Sequence, residues 1–163
     1  MADFSIRRDI RANNVTANTF TGVLQTSVAC SALITVATTI PNGTSGDLIL
    51  DTTEYDTHGM HSTTVNPERI TIPITGIYRV TARVTVSTGS TLYGVQIWKN
   101  NVGPMFQTSL FTDAIGAETG VQLVKSISLN AGDYITMKAF QNSGAPDTLI
   151  IATGRNYLQV EKV

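Results

Sequence analysis

Between Tyr78 and Val86 the chain alternates strictly. Tyr78, Val80, Ala82, Val84 and Val86 are aromatic or aliphatic, and Arg79, Thr81, Arg83 and Thr85 lie between them. A period of two is the signature of a strand with one face in a core and the other wet or interfacial. The strand read here is IYRVTARVTV (77–86). Further strand-like runs occur at 27–36, 47–50, 69–72, 91–98, 105–111, 121–129, 133–140, 147–152 and 156–163. Turn-forming residues separate them: Pro41-Asn42-Gly43, Pro73 with Gly76, Asn100-Asn101, Ala131-Gly132-Asp133 and Ser143-Gly144-Ala145-Pro146. Eight to ten short strands at this spacing predict a two-sheet antiparallel sandwich. No internal repeat of the solenoid or propeller kind is present.

Residues 1–26 break the pattern. Arg7, Arg8 and Arg11, three of the eleven basic residues, are followed by NNVTANTFTG, which has no helical period. This segment reads as an extended arm in front of a head at 27–163. The division suits a chain of 163 residues, which has room for one domain.

Composition sharpens the fold class. Thr, Ile and Val number 25, 15 and 14, a third of the chain, and β-branched side chains fit the pleated surface of a sheet better than a helix. With 42% apolar and 14% charged residues and a net charge of -1, the chain can bury a core and has no bias toward nucleic acid or acidic membranes. So little charge on a small protein implies that much of its surface is covered by something. Cys30 is the sole cysteine, which excludes an internal disulfide and reads as a small buried apolar residue. MADFSIRRDI lacks the apolar run of a signal peptide and nowhere do 18 apolar residues follow one another, so synthesis in a cytoplasm is expected.

The segment DLILDTTEYDTHGMHSTTVNPERITIPITGIYRVTARVTV (47–86) carries Asp51, Tyr55, Asp56, His58, Gly59, Met60, His61, Ile70, Ile72, Pro73, Gly76, Tyr78 and Val80. It resembles the signature stretch of the globular head of complement component 1, q subunit, and of its bacteriophage relatives among the tumour-necrosis-factor-like jelly rolls. TLYGVQIWKNN (91–101) is similar to that family's strand ending in Lys-Asn-Gly, with Asn101 where Gly is usual. ISLNAGDYITM (127–137) is similar to its Leu-x-x-Gly-Asp-x-Ile turn. The resemblance covers roughly residues 27–163. It implies an antiparallel jelly-roll sandwich of about ten strands, with Gly76, Tyr78, Gly132 and Asp133 as fold-making residues. Gly76 is expected to swing the chain into its strand with a positive φ, Tyr78 to bury its ring while its hydroxyl seeks a partner, and Gly132-Asp133 to form a hairpin-like turn. It also implies a homotrimer, with Tyr93, Phe140 and Tyr157 chosen among the aromatic residues for the interface.

Candidate chemistry is sparse. His58 and His61 with Asp51, Glu54 and Asp56 nearby have the donor types of a divalent-metal site, but their spacing matches no closed zinc pattern, and the alternative is a loop satisfying its own backbone. No metal ligand and no cofactor are assigned. There is no Gly-x-Ser-x-Gly elbow, phosphate-cradling loop, Cys-x-x-Cys pair or His-Glu-x-x-His helix, so a non-enzymatic protein is expected. Asp3 and Asp9 reduce the arm's charge to +1, which fits docking on an acidic protein surface better than duplex binding.

NNVTANTFTG is similar to the Asn-Val-Thr-Gly segments of phage fibre and virion proteins. The expectation is a bacteriophage virion protein, made in the host cytoplasm and held on the capsid surface, whose trimers decorate the shell. The arm would dock on the major capsid protein through Phe4, Ile6, Arg7, Arg8, Ile10 and Arg11. The alternative is a tail-fibre or tail-tip head that contacts tail proteins and binds a host surface receptor or glycan through its loops. Neither reading involves nucleic acid or membrane.

Overall fold

The computed structural model describes residues 27–88, 91–112 and 117–163. The expected docking residues Phe4, Ile6, Arg7, Arg8, Ile10 and Arg11 lie outside them. Twelve strands run in order through the described residues: β1 (Ala29–Leu33), β2 (Thr39–Ile40), β3 (Gly46–Asp47), β4 (Thr52–Asp56), β5 (Arg69–Thr71), β6 (Gly76–Thr88), β7 (Thr91–Lys99), β8 (Val102–Thr112), β9 (Ala117–Leu129), β10 (Tyr134–Gln141), β11 (Asp147–Thr148) and β12 (Tyr157–Lys162).

Ten of them make two five-stranded sheets. The first has the order β4-β1-β12-β6-β9, and the second β3-β10-β7-β8 with β5 also paired to β10. The named ladders are antiparallel. The outermost strands of the sequence, β1 and β12, are neighbours inside the first sheet, while β6 to β7 and β9 to β10 each pass from one sheet to the other. That wiring is a jelly roll. β2 and β11 form a separate two-stranded pair.

The alternation in β6 has the predicted consequence. Tyr78, Val80, Ala82, Val84 and Val86 are at most 1% exposed, and they join Val95, Ile97, Leu129, Ile135, Met137, Leu158 and Val160 in one core between the sheets. Cys30 lies in it fully buried, and burial with the nearby Asp56 pushes its thiol up to about 12. At the edge between β8 and β9, the exposed Lys125 sets its ammonium 5.3 Å from the centroid of the Phe106 ring.

The signature residues hold their places, two of them for different reasons than expected. Tyr78 is fully buried and its hydroxyl donates to the Ile74 carbonyl at 2.5 Å. Gly76 does not adopt a positive φ. It pairs with Leu129 as ordinary extended backbone, and its missing side chain leaves room for Lys162, whose Cε lies 2.5 Å from where a Cβ would stand. Gly132 does take the left-handed region, with φ +89°, but its turn is not hairpin-like, because β9 and β10 belong to different sheets. Gly132 donates to the Ile72 carbonyl and Ile72 to the Asp133 carbonyl, both at 2.8 Å, which ties the crossing to β5. The true hairpin is β7 to β8, where Asn100 and Asn101 both have positive φ, 52° and 60°, as a two-residue turn of this hand requires. Asn101 thus performs what glycine usually does.

Several strands differ from their expected bounds. The run at 47–50 is a strand only at Gly46–Asp47, and the run at 147–152 only at Asp147–Thr148. β4 had no periodic signal, because TTEYD is exposed or half-buried throughout and is held by pairing with β1.

Candidate functional site

With Leu158 and Val160 in the core, Tyr157, Gln159 and Glu161 of β12 face outward. Register then builds rows across the outer face of the first sheet. Leu33, Tyr157, Arg83 and Gln122 stand side by side, and Tyr55, Ser31, Gln159, Thr81 and Val124 form the next row. Gln159 donates its amide to the Tyr55 hydroxyl at 2.6 Å, and Ser31 donates to Glu54 at 2.9 Å. Arg79 pairs with Glu161 at 2.7 Å; exposed as both are, the pair orders the surface more than it stabilises the fold. Tyr55 and Val124 remain 40% and 48% exposed and Leu33 and Tyr157 are half-buried. Tyrosines, aliphatic groups and paired charges on a broad sheet face suit contact with another protein.

The three aromatic residues expected at one interface are in three different places. Tyr93 is 1% exposed: β7 turns Tyr93, Val95 and Ile97 inward, and the Tyr93 hydroxyl donates to Asp147. Burial, with Asp147 beside it, pushes the phenol pKa up. Tyr93 therefore has no surface to offer a second copy and is a core residue. Phe140 is half-buried on the outer face of the second sheet, and Tyr157 on the outer face of the first. A single patch on one sheet face cannot contain both.

The 51–61 loop region is organised around carboxylates. Asp56 accepts the backbone N–H of His58 at 3.0 Å and of His61 at 2.9 Å; burial alone would raise its pKa, but these bonds and those from Met60 and Gly59 hold it below the ordinary value. Asp51 is likewise lowered against its burial by the N–H groups of Thr35 and Val36 and the hydroxyls of Thr35 and Thr52. His61 Nε2 donates to the Pro67 carbonyl at 3.3 Å, and its Nδ1 lies 2.8 Å from the Thr53 hydroxyl. The His58 Nδ1 lies 2.8 Å from the Thr57 hydroxyl. These groups are engaged by neighbouring backbone and hydroxyls, and among the described residues no three His, Cys, Asp or Glu converge as metal ligands would.

Asp133 anchors the end of the head where the crossing turn lies. Lys99 sits 2.7 Å from its carboxylate, and the Asn130 N–H and Asn100 amide also donate to it, both at 2.7 Å. The Lys99 hydrogen bond, then the Asn130 and Asn100 bonds, lower its pKa to about 2. The same end receives the chain from residues 1–26. Thr57 donates to the Ser27 carbonyl at 2.8 Å, Lys162 to that of Val28 at 2.8 Å, and Val163 to that of Ile77 at 3.0 Å. From there β6 runs 13 residues to the opposite end, about 40 Å away at roughly 3.3 Å per residue. At that far end β6 and β9 are paired through Thr88 and Ala117, and the β7–β8 ladder through Thr91 and Thr112.

No protein-family model matches the chain, and no curated protein matches it. Solved structures do. Murine APRIL at pH 5.0 superposes with a TM-score of 0.61 at 14% identity, over 85% of this chain and 100% of the other. Murine APRIL at pH 8.5 gives 0.60 at 15% identity with the same coverage. Eiger TNF from S. frugiperda gives 0.56 at 10% identity, over 84% of this chain and 92% of its own. The fold is therefore a tumour-necrosis-factor-like jelly roll.

Proposed function

We propose that this chain is a non-enzymatic structural protein of a bacteriophage particle, a homotrimer that decorates the capsid and docks on the major capsid protein through residues 1–26. The observation that carries this reading is the placement of Ser27. The chain joins the head at one extreme, beside Lys162, Val163 and Ile77, and the Thr88–Ala117 end of the β6–β9 ladder lies a full β6 length away. A rigid sandwich joined by one pole to the preceding segment is the geometry of an attached module.

The homotrimer is supported by the outer face of the first sheet. A three-fold ring needs a heterologous contact that closes on itself. The rows through Tyr157 and Tyr55 offer tyrosine and aliphatic contact area of the kind found at the centres of interfaces. Three heads on a capsid three-fold then present three equal N-terminal segments to three equal sites, so that weak individual contacts add. Phe4, Ile6 and Ile10 supply apolar anchors, and Arg7, Arg8 and Arg11 reach acidic groups. The particle is assembled in the host cytoplasm and the heads stand on its outer surface.

The test is a truncation. The chain without residues 1–20 is expected to remain a folded trimer by sedimentation and to lose binding to particles. Retained binding by the truncated head would overturn the docking assignment, and a monomeric full chain would overturn the trimer.

A further inference from the structure

We propose that the outer face of the second sheet carries a binding site for a neutral saccharide, one or two sugar units in size. A cavity of about 300 Å³ opens there, lined by Gln96, Gln107, Phe140, Gln141, Asn142 and the 43–45 turn. The volume lies at the small end of the range for small-molecule sites, about 300 to 1,000 Å³. No charged side chain lines it. The neighbouring cation, Lys138, is engaged elsewhere, 3.2 Å from Asp47 and 4.1 Å from the Trp98 ring centroid.

The polar groups are held in a defined orientation by a relay. An indole N–H can only donate, and Trp98 Nε1 donates to Gln96 Oε1 at 2.9 Å. The Gln96 Nε2 must then be the donor, and it meets Gln107 Oε1 at 2.8 Å. The Gln107 Nε2 is left with two hydrogens that have no partner among the described residues, on a side chain open to solvent. Trp98 thereby removes the amide-flip ambiguity from both glutamines. Gln141 is equally fixed: buried, it donates to the carbonyls of Ile40 at 3.2 Å and Ala145 at 2.7 Å and accepts from Ser143 N–H at 2.6 Å.

Phe140 supplies the apolar surface. Its ring edge sits over Gly94, where no side chain exists to displace it, so the ring is held before any ligand arrives. A pyranose has one face of C–H groups and a rim of hydroxyls. The ring takes the first, and directed amide donors take the second without any charge being desolvated. An anionic sugar would find no cation in the lining.

This inference rests on neither the trimer nor the capsid reading, since the site lies within one copy, on the sheet opposite the Tyr157 face. The test uses the full-length 15N-labelled chain, titrated separately with maltose, lactose and cellobiose and followed by TROSY spectra, with glucuronate as the charged control. The expected result is saturable shifts from at least one disaccharide, centred on the Gln96 and Gln107 side-chain amides and the 43–45 backbone, and none from glucuronate. Gln107→Ala is expected to weaken that binding roughly three- to tenfold, and Phe140→Ala by more. Gln107 is exposed, so its variant keeps the test decisive if Phe140→Ala fails to fold. No shifts from any of the three, shifts centred elsewhere, equal binding of glucuronate, or an unchanged titration of Gln107→Ala would each overturn the proposal. Particle binding and sedimentation are expected to be the same in Gln107→Ala as in the native chain, which separates failure of this site from failure of the capsid reading.

Discussion

The ring of Phe140 occupies the space that a side chain at Gly94 would fill. The two residues face each other across the β7–β10 ladder, and the Thr108 carbonyl lies 2.7 Å from the same missing Cβ. A strand glycine with no positive φ is here a seat for an aromatic ring. Gly94→Ala is expected to cost about 1–3 kcal/mol through overpacking, read as a lower denaturation midpoint. Adding Phe140→Ala should return part of that loss and not all, because the Thr108 backbone cannot withdraw as a side chain can. Full additivity of the two changes would contradict the contact.

The two signature glycines should separate cleanly. Gly132→Ala forces a Cβ onto a residue at φ +89°, and a loss of about 1–3 kcal/mol is expected. Gly76→Ala meets only the far end of the Lys162 side chain, which can swing away, so its cost should stay below about 1 kcal/mol. Paired urea titrations decide this. A larger loss at Gly76 would mean that Lys162 cannot move.

Asn156 is 1% exposed and ties the segment before β12 to the first sheet. Its Oδ1 accepts from Thr85 N–H and its Nδ2 donates to the Ile150 carbonyl, both at 2.7 Å. Asn156→Ala removes the partner of the buried Thr85 N–H and of the part-buried Ile150 carbonyl, for an expected loss of about 2–3 kcal/mol. At the usual slope for a domain of this size, the melting temperature should fall by roughly 5–10 °C. An unchanged melting curve would show that water replaces the amide.

Asp133 makes the head sensitive to acid over a definite interval. Its pKa in the folded head is about 2, below the ordinary 3.8, because Lys99, Asn130 and Asn100 stabilise the carboxylate. A lowered folded pKa contributes stability that is present above the ordinary value and lost as pH falls through the folded one. The native chain should therefore be more stable than Asp133→Asn at neutral pH, with the two converging between about pH 4 and pH 2. Parallel stability curves over that interval would contradict the assignment.

Much of the fold was legible in the amino-acid sequence, because its signals are local. The alternation of Tyr78 to Val86 needs only neighbouring residues to be read, and so do the turns at Asn100-Asn101 and Gly132-Asp133, although the second reads as a hairpin and is a crossing between sheets. What was not legible depends on register. β4 carries no apolar alternation and exists through its pairing with β1. As an aromatic residue Tyr93 reads as an interface candidate; its partner, Asp147, is 54 residues away, and only the folded chain shows the hydroxyl against it. Gln96 and Gln107 are unremarkable polar residues until the β7–β8 register places them opposite each other. The residues that name a jelly roll are thus sequence-local, and those that form surfaces are assembled from separate strands.

The proposed role puts the head on a capsid, attached through the segment that precedes Ser27. Adding the purified full-length chain to particles that lack it, and imaging them by electron cryomicroscopy, tests that claim most directly. Trimeric density is expected at three-fold positions of the shell, with each head's Ser27 end toward the capsid. Density confined to the tail, or no density on the particle, would contradict it.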